Sequence, residues 1–340
     1  MGGGSLAPQA GIGRLVAVSR AVSVEKTGGP EVLALVERDP GAPGAGQLRV
    51  RVAAAGVNFI DVYFRTGLYP RPLPFVAGLE GAGRIEAVGP GVAGFAAGDR
   101  VAWASAPGSY AELALVPAAQ AVAIPSGVAD ELAAAAMLQG MTAHYLVHAI
   151  RPPERGSFAL VHAASGGTGL LLVQMLKRAG VRVIGTCGSA EKAALVREAG
   201  ADLAVRYDES DFVAAARDAT GGRGVDVVYD GVGRSTFDGS LASLRPRGLL
   251  ALFGQASGPV PPFDLQRLNA GGSLVVTRPS LAHFVATREE LELRAGAVLG
   301  AVADGGLRVR IGARFPLAEA AAAHRALESR ATTGKLLLIP

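Results

Sequence analysis

The sequence predicts an α/β fold: a doubly wound parallel sheet joined to a partly open β-barrel. Three observations carry this. From Gly156 onward, apolar strand-like runs alternate with helical stretches. A Gly-rich turn separates the first of these runs from its helix. Before about Pro125 the chain is instead a series of short Val/Ala-rich runs divided by Gly and Pro.

At 340 residues the chain is long enough for two domains, each with its own core. Half of the residues are hydrophobic and 18% are charged, which excludes a disordered polymer. The net charge is +4, but the Arg residues are scattered and aromatics make up only 5%. A nucleic-acid groove needs clustered charge and stacking rings, so specific nucleic-acid binding is not expected. The single cysteine, Cys187, excludes an internal disulfide and a Cys-rich zinc lobe. It fits a reducing, cytoplasmic setting. The first residues have no basic-then-apolar signal pattern, and residues 1–14 are expected to be a flexible tail. Residues 132–150 lack Asp, Glu, Lys and Arg, yet hold Gln139, Thr142, His144 and His148. They read as a buried helix rather than a membrane span.

In the first part, strands are expected at Gln47–Ala54, Gly83–Val88, Asp99–Ala104 and Tyr110–Val116. A helix runs from Asp130, a candidate cap, to Ile150, where Pro152-Pro153 stops it. Then come six apolar strands: Ser157–His162, Val181–Thr186, Asp202–Tyr207, Val225–Asp230, Leu249–Phe253 and Leu274–Thr277. Helices at about Gly169–Arg178, Glu191–Ala199 and Asp211–Thr220 separate the first four. Strands this apolar are buried on both faces of a parallel sheet. After Arg278, helices at Arg288–Ala303 and Leu317–Ser329 and strands near Arg308–Arg314 and Lys335–Ile339 return to the first domain. The expected division is residues 15–141 with 279–340, and 142–278 as a dinucleotide-binding insertion.

The strongest motif is Val161-His-Ala-Ala-Ser-Gly-Gly-Thr-Gly-Leu170. Between a strand and a helix, Gly166, Gly167 and Gly169 let the backbone turn tightly and approach a pyrophosphate at the helix's positive end. The second strand ends Ile184-Gly-Thr-Cys-Gly-Ser-Ala-Glu-Lys192, without the carboxylate that would bind a free ribose 2′-hydroxyl. Gly185, Thr186, Gly188, Ser189 and Lys192 there suit a 2′-phosphate, with Tyr207 flanking. Ser189 could equally cap its helix. A third group, Asn58, Asp61, Tyr63 and Tyr69, places polar side chains in a segment otherwise fit for burial. They could meet a nicotinamide or a quinone, or bond within the barrel. His144 and His148 lack the Glu of a metalloprotease helix, and Cys187 has no evident base beside it. No metal site is expected.

Asn58-Phe-Ile-Asp61, Arg65-Thr-Gly-Leu-Tyr-Pro70, Ala163-Ala-Ser-Gly-Gly-Thr-Gly169, Tyr229-Asp-Gly-Val-Gly233, Val276-Thr-Arg-Pro-Ser280 and Glu328-Ser-Arg-Ala-Thr332 together resemble the quinone oxidoreductases. These are the zeta-crystallin-like, zinc-free branch of the medium-chain dehydrogenase/reductase superfamily, and the likeness runs from about Val16 to Pro340. It implies a GroES-like catalytic domain wrapped around a Rossmann domain, NADPH in the cleft, and a homodimer or a tetramer of dimers. It places Asn58, Ile60, Asp61 and Tyr145 near the nicotinamide, and Gly166, Gly167, Thr168 and Gly169 on the pyrophosphate. Ser189, Lys192 and Tyr207 fall at the 2′-phosphate, and Val232, Phe253, Gly254, Ser257, Arg278 and Arg330 close over the cofactor. Gln139 stands where some relatives carry Lys, which alters the pocket. Gly78-Leu79-Glu80 replaces the Gly-His-Glu of zinc-dependent relatives.

The expected activity is therefore NADPH-dependent quinone reduction without a metal. Asn58 orients by hydrogen bonding, and Tyr63 or Tyr69 lines the substrate pocket and is a candidate proton source, although solvent can serve equally. An enoyl or alkenal reductase shares the fold and cofactor. A structural or RNA-binding role for an NADPH-binding protein is the alternative of another class.

Overall fold

The computed structural model describes residues 18–340, so the expected tail at 1–14 lies outside the described residues. Strand β1 (Ser19–Val24) pairs antiparallel with β2 (Leu33–Arg38), Ser19 opposite Arg38. Sequence reasoning missed this hairpin because β2 exposes most of its side chains and shows little apolar alternation. Strand β3 (Gln47–Val57) buries Leu48, Val50, Val52 and Ala54 on one face, with Arg49 and Arg51 on the other. Helix α1 (Phe59–Arg65) follows, and β4 (Phe75–Val76) adds to β1. The barrel continues through β5 (Glu80–Val88), β6 (Arg100–Trp103), β7 (Leu113–Pro117) and β8 (Val122–Ala123).

Helix α2 (Asp130–Tyr145) is continued by a π-helical turn over Leu146–Ile150. Asp130 is its first residue, not its cap; the cap position is Ala129, and Asp130 binds Arg100 at 2.7 Å instead. Ala133–Ala136, Met137 and Met141 are fully buried, which explains the uncharged stretch as core packing. Among the described residues no helix is long and apolar enough to cross a membrane.

The second sheet contains β9 (Phe158–Val161), β10 (Arg182–Cys187), β11 (Leu203–Arg206), β12 (Val225–Asp230), β13 (Leu244–Leu252) and β14 (Val275–Thr277). Its order is β11-β10-β9-β12-β13-β14, all parallel. Helices α3 (Gly167–Arg178), α4 (Ala190–Glu198), α5 (Phe212–Ala219), α6 (Phe237–Ser243) and α7 (Gln266–Ala270) connect the strands. The strand order reverses between β9 and β12, so a crevice opens beyond the carboxyl ends of these strands.

The chain then runs through α8 (Leu281–Phe284), α9 (Arg288–Ala303), β15 (Ile311–Pro316), α10 (Ala320–Glu328) and β16 (Lys335–Ile339). Strand β16 pairs with β3 and completes a seven-stranded sheet, β15-β16-β3-β5-β6-β8, whose seventh strand, β7, also pairs with β3. Strand β15 begins three residues later than the strand expected near Arg308.

The pairing of β16 with β3 carries Lys335 into the interior. Its ammonium donates to Glu80 and, at 2.6 Å, to Asn58 Oδ1, and both ion-pair partners are at most 1% exposed. Asn58 Nδ2 donates to Glu80 Oε2 at 2.8 Å, and Glu80 Oε1 accepts from the Leu138 amide. A second chain runs outward: Asp61 Oδ2 accepts from Asn58 N and Tyr110 Oη, Tyr110 Oη meets His324 Nε2, and His324 Nδ1 meets Arg65. Arg65 ends the chain with two bonds to Glu328.

Removing one member of a buried pair strands the other charge. Lys335→Met is expected to cost about 3–5 kcal/mol in urea unfolding, with part recovered in Glu80→Gln/Lys335→Met. Burial pushes the Asp61 carboxyl from 3.8 up to about 7. Between those values the native state holds a proton that the unfolded chain has lost, so this group's contribution to stability falls as pH rises through the window. Asp61→Asn is therefore expected to gain stability relative to the parent chain as pH is raised from about 5 to about 8. A constant difference between the two proteins across that range would contradict the assignment.

Candidate nucleotide-binding site

A cavity of about 480 Å³ opens at the crevice between the two sheets. Its floor is the turn from β9 into α3. Gly166 takes the N-cap position in extended conformation, and no side chain caps the helix. The turn closes through Gly166 N to Ala163 O at 2.9 Å, with Ala163 at φ 48°. A Cβ on Gly169 would lie 2.4 Å from Ala163 O, so this position admits only glycine. Gly166, Gly167, Thr168 and Gly169 all line the cavity. The first amides of α3 have no side-chain partner at this end and point where an anion would be stabilised.

Gln139, from α2, forms the facing wall. Its Oε1 is buried without a hydrogen-bond partner among the described residues. A Cβ on Gly167 would come 1.8 Å from that oxygen, so the glycine gives Gln139 its place.

The tip of β10 supplies Thr186, Cys187 and Gly188 to the lining, joined by Lys192 and Tyr207. A Cβ on Gly188 would come 2.5 Å from Tyr207 Oη. Ser189 caps α4, its Oγ accepting from Lys192 N at 3.3 Å, and does not line the cavity; Gly185 packs beneath on Val196 and Ala164. Burial raises the Cys187 thiol pKa, in keeping with an unreactive side chain.

Lys192 Nζ donates to the carbonyl of Arg330, which has φ 60°. Gly334 N donates to Ser165 O at 3.0 Å. The segment between α10 and β16 is thus fastened to the nucleotide-side turn, and Arg330, Thr332 and Gly334 form a wall. Val232 and Phe253 line the third side. Ser257 Oγ braces that loop by donating to Val232 O, and Gly254 packs on Gly231, but neither faces the cavity.

Of the two readings the sequence leaves open for the polar group around α1, internal hydrogen bonds are the ones formed. Asn58 is 4% exposed, and both ends of its amide are engaged by Lys335 and Glu80. Asp61 is buried as the N3 member of the α1 capping box. Neither lines the cavity, nor does Ile60; their neighbour Phe59 does. The Tyr63 hydroxyl accepts from Gln255 N at 3.0 Å, and burial raises its pKa to about 12. Tyr69 accepts from Arg278 at 3.2 Å and packs edge-on against Tyr63. Asn58 and Asp61 bond within the barrel, whereas Tyr63 and Tyr69 bridge to the nucleotide-side segment. Tyr145 is buried and stacked on Phe284. The internal bonds are legible in the sequence only as an alternative, because their partners, Glu80, Lys335 and Gln255, are distant in the chain.

His162, Phe212, Ser235, Thr236 and Leu327 also line the cavity. Sequence reasoning missed them; they arrive from strand ends and from the ends of helices without a motif of their own. His144 and His148 have ring centroids 4.7 Å apart, and His144 is depressed to about 4 by burial and by its neighbour. Among the described residues no three His, Cys, Asp or Glu side chains converge to hold a metal ion.

Residues 167–292 match the zinc-binding dehydrogenase family, and residues 44–126 match the alcohol dehydrogenase GroES-like domain. The described donor set does not fit a zinc site in spite of the first of these names. A quinone oxidoreductase of Pseudomonas aeruginosa is 46% identical over 92% of this chain and 97% of its own length. A 2-haloacrylate reductase of a Burkholderia species is 41% identical over 94% and 98%. The crystal structure of Escherichia coli quinone oxidoreductase complexed with NADPH superposes with a TM-score of 0.93 at 43% identity, covering 94% of this chain and all of that one. With a GroES-like barrel, a six-stranded Rossmann sheet and relatives this similar over nearly its whole length, the chain belongs to the quinone oxidoreductase family of the medium-chain dehydrogenase/reductases.

Proposed function

We propose that this protein binds NADPH in the cavity and reduces quinones. The observation that carries the reading is the uncapped start of α3, presented by Gly166–Gly169 to a cavity large enough for a dinucleotide. Bound NADPH supplies a hydride at nicotinamide C4. The protein's work is positioning and exclusion of water. The amides of Gly167, Thr168 and Gly169 hold the diphosphate. Lys192, Tyr207 and Arg330 receive the 2′-phosphate, at a strand tip that has Cys187 and Gly188 where a carboxylate would repel it. Gln139 Oε1, unpartnered and buried, accepts from an amide N–H of the nucleotide.

Asn58, Asp61, Tyr63 and Tyr69 act here as positioning residues. Asn58 and Asp61 fix the start of α1, and with it Phe59 at the cavity wall. Tyr63 and Tyr69 tie that segment to Gln255 and Arg278 across the cleft. With the hydride from the nicotinamide, the quinone needs one proton to become the hydroquinone, and solvent supplies it. The open edge strand β14 exposes Val275, and we assign the homodimer contact to this edge.

A second reading, reduction of a conjugated alkene, uses the same hydride and the same cleft; the similarity to a 2-haloacrylate reductase favours it. Steady-state NADPH oxidation with a simple benzoquinone and with a conjugated enal separates the two. The quinone is expected to give the higher kcat/KM, and an inert quinone with an active enal would reverse the order. Lys192→Ala is expected to raise KM for NADPH about tenfold or more, the worth of a charge-assisted hydrogen bond, and to leave KM for NADH nearly unchanged. Equal losses for the two nucleotides would contradict the 2′-phosphate assignment.

A further inference from the structure

Beneath the cavity lies a buried polar chain that crosses four elements. Asp230, at the end of β12, accepts hydrogen bonds from Val232 N, Gly233 N, Thr236 Oγ1 and Ser240 Oγ, at 2.7–3.0 Å. Ser240 Oγ lies 3.1 Å from His162 Nε2, and His162 Nδ1 lies 3.0 Å from Thr186 Oγ1. Asp230 and Ser240 are fully buried, and His162 and Thr186 are each 2% exposed. His162 and Thr186 both line the cavity.

The direction of every hydrogen bond in this chain follows from its inner end. Ser240 has one hydroxyl proton, and it is given to the Asp230 carboxylate. Its oxygen can then only accept from His162, so the imidazole proton resides on Nε2. Burial holds His162 below its ordinary pKa, so the ring is neutral and Nδ1 is a bare acceptor. Nδ1 therefore takes the Thr186 hydroxyl proton. The opposite polarity would set the Ser240 and Asp230 oxygens lone pair to lone pair at 2.8 Å.

We infer that Thr186 Oγ1 serves the cavity as an acceptor-only group and selects a hydrogen-bond donor on the adenosine half of the dinucleotide. The inference rests on the proposed nucleotide site, in which the β10 tip lies at the adenosine end. A hydroxyl whose proton is committed elsewhere repels phosphate oxygens, so it turns the 2′-phosphate away from Thr186 and towards Lys192. Two groups on that half can donate: the ribose 3′-hydroxyl and the adenine 6-amino group. His162, Ser240 and Asp230 are positioning residues that act through Thr186.

Calorimetric titration tests this with NADP⁺, 3′-deoxy-NADP⁺ and the hypoxanthine analogue of NADP⁺, which lacks the amino group. The unmodified protein is expected to bind one of the two analogues about 3- to 10-fold more weakly than NADP⁺, the range of a single net hydrogen bond. The analogue affected identifies the donor. In Thr186→Val that ratio is expected to collapse towards one, and in Thr186→Ser to be retained. Ser240→Ala, which does not line the cavity, is also expected to reduce the ratio, because His162 is then free to turn its proton towards Thr186. Equal binding of all three nucleotides, or the same ratio in Thr186→Val or in Ser240→Ala, would overturn the inference while leaving the nucleotide site intact. Failure of the unmodified protein to bind NADP⁺ would overturn both.

Discussion

The structure depends on one backbone constraint: the chain must leave β9, reverse at Ala163–Ser165 and enter α3 with its first amides unpaired and facing outward. Ala163 accepts a left-handed conformation to do this, and Gly169 leaves room for the Ala163 carbonyl where any side chain would collide. The reversal stands where the strand order switches, between β9 and β12, so the crevice and the helix start coincide. An anion placed there gains from unsatisfied N–H groups and from the helix dipole together.

The second half of the cleft comes from the end of the chain. Strand β16 is bound into the first sheet by backbone pairing with β3 and by the Lys335–Glu80 pair beneath it. The segment before it is thereby held against the β9–α3 turn through Gly334 and Ser165, and against α4 through Arg330 and Lys192. A buried ion pair is a costly way to stabilise a fold. Its position here, joining β16, β5 and the start of α1, shows what it achieves: three separate segments are fixed in one register at the cavity wall.

The six nucleotide-side strands were legible in the sequence because each is a short apolar run, and the central β9, β10 and β12 are buried along most of their length. The Gly-rich turn was legible because its glycines have no alternative use at that spacing. The hairpin of β1 and β2 was not, since half-exposed strands carry little periodicity. The site was legible where backbone makes it, at Gly166–Gly169, and at the β10 tip, where a missing carboxylate is itself a signal. At Asn58 and Asp61 it stayed open between a ligand contact and internal hydrogen bonds. A buried polar residue is ambiguous until its partners are known, and Lys335 lies 277 residues from Asn58. The same ambiguity hid His162, whose place in the Asp230–Ser240–Thr186 chain depends on three strand ends and a helix that only the folded sheet brings together.

The most direct measurement is a crystal structure of the protein with NADP⁺ bound. The diphosphate should lie within hydrogen-bond reach of the Gly167–Gly169 amides, with the 2′-phosphate beside Lys192. A nucleotide bound elsewhere, or a diphosphate held by side chains away from the start of α3, would contradict the account.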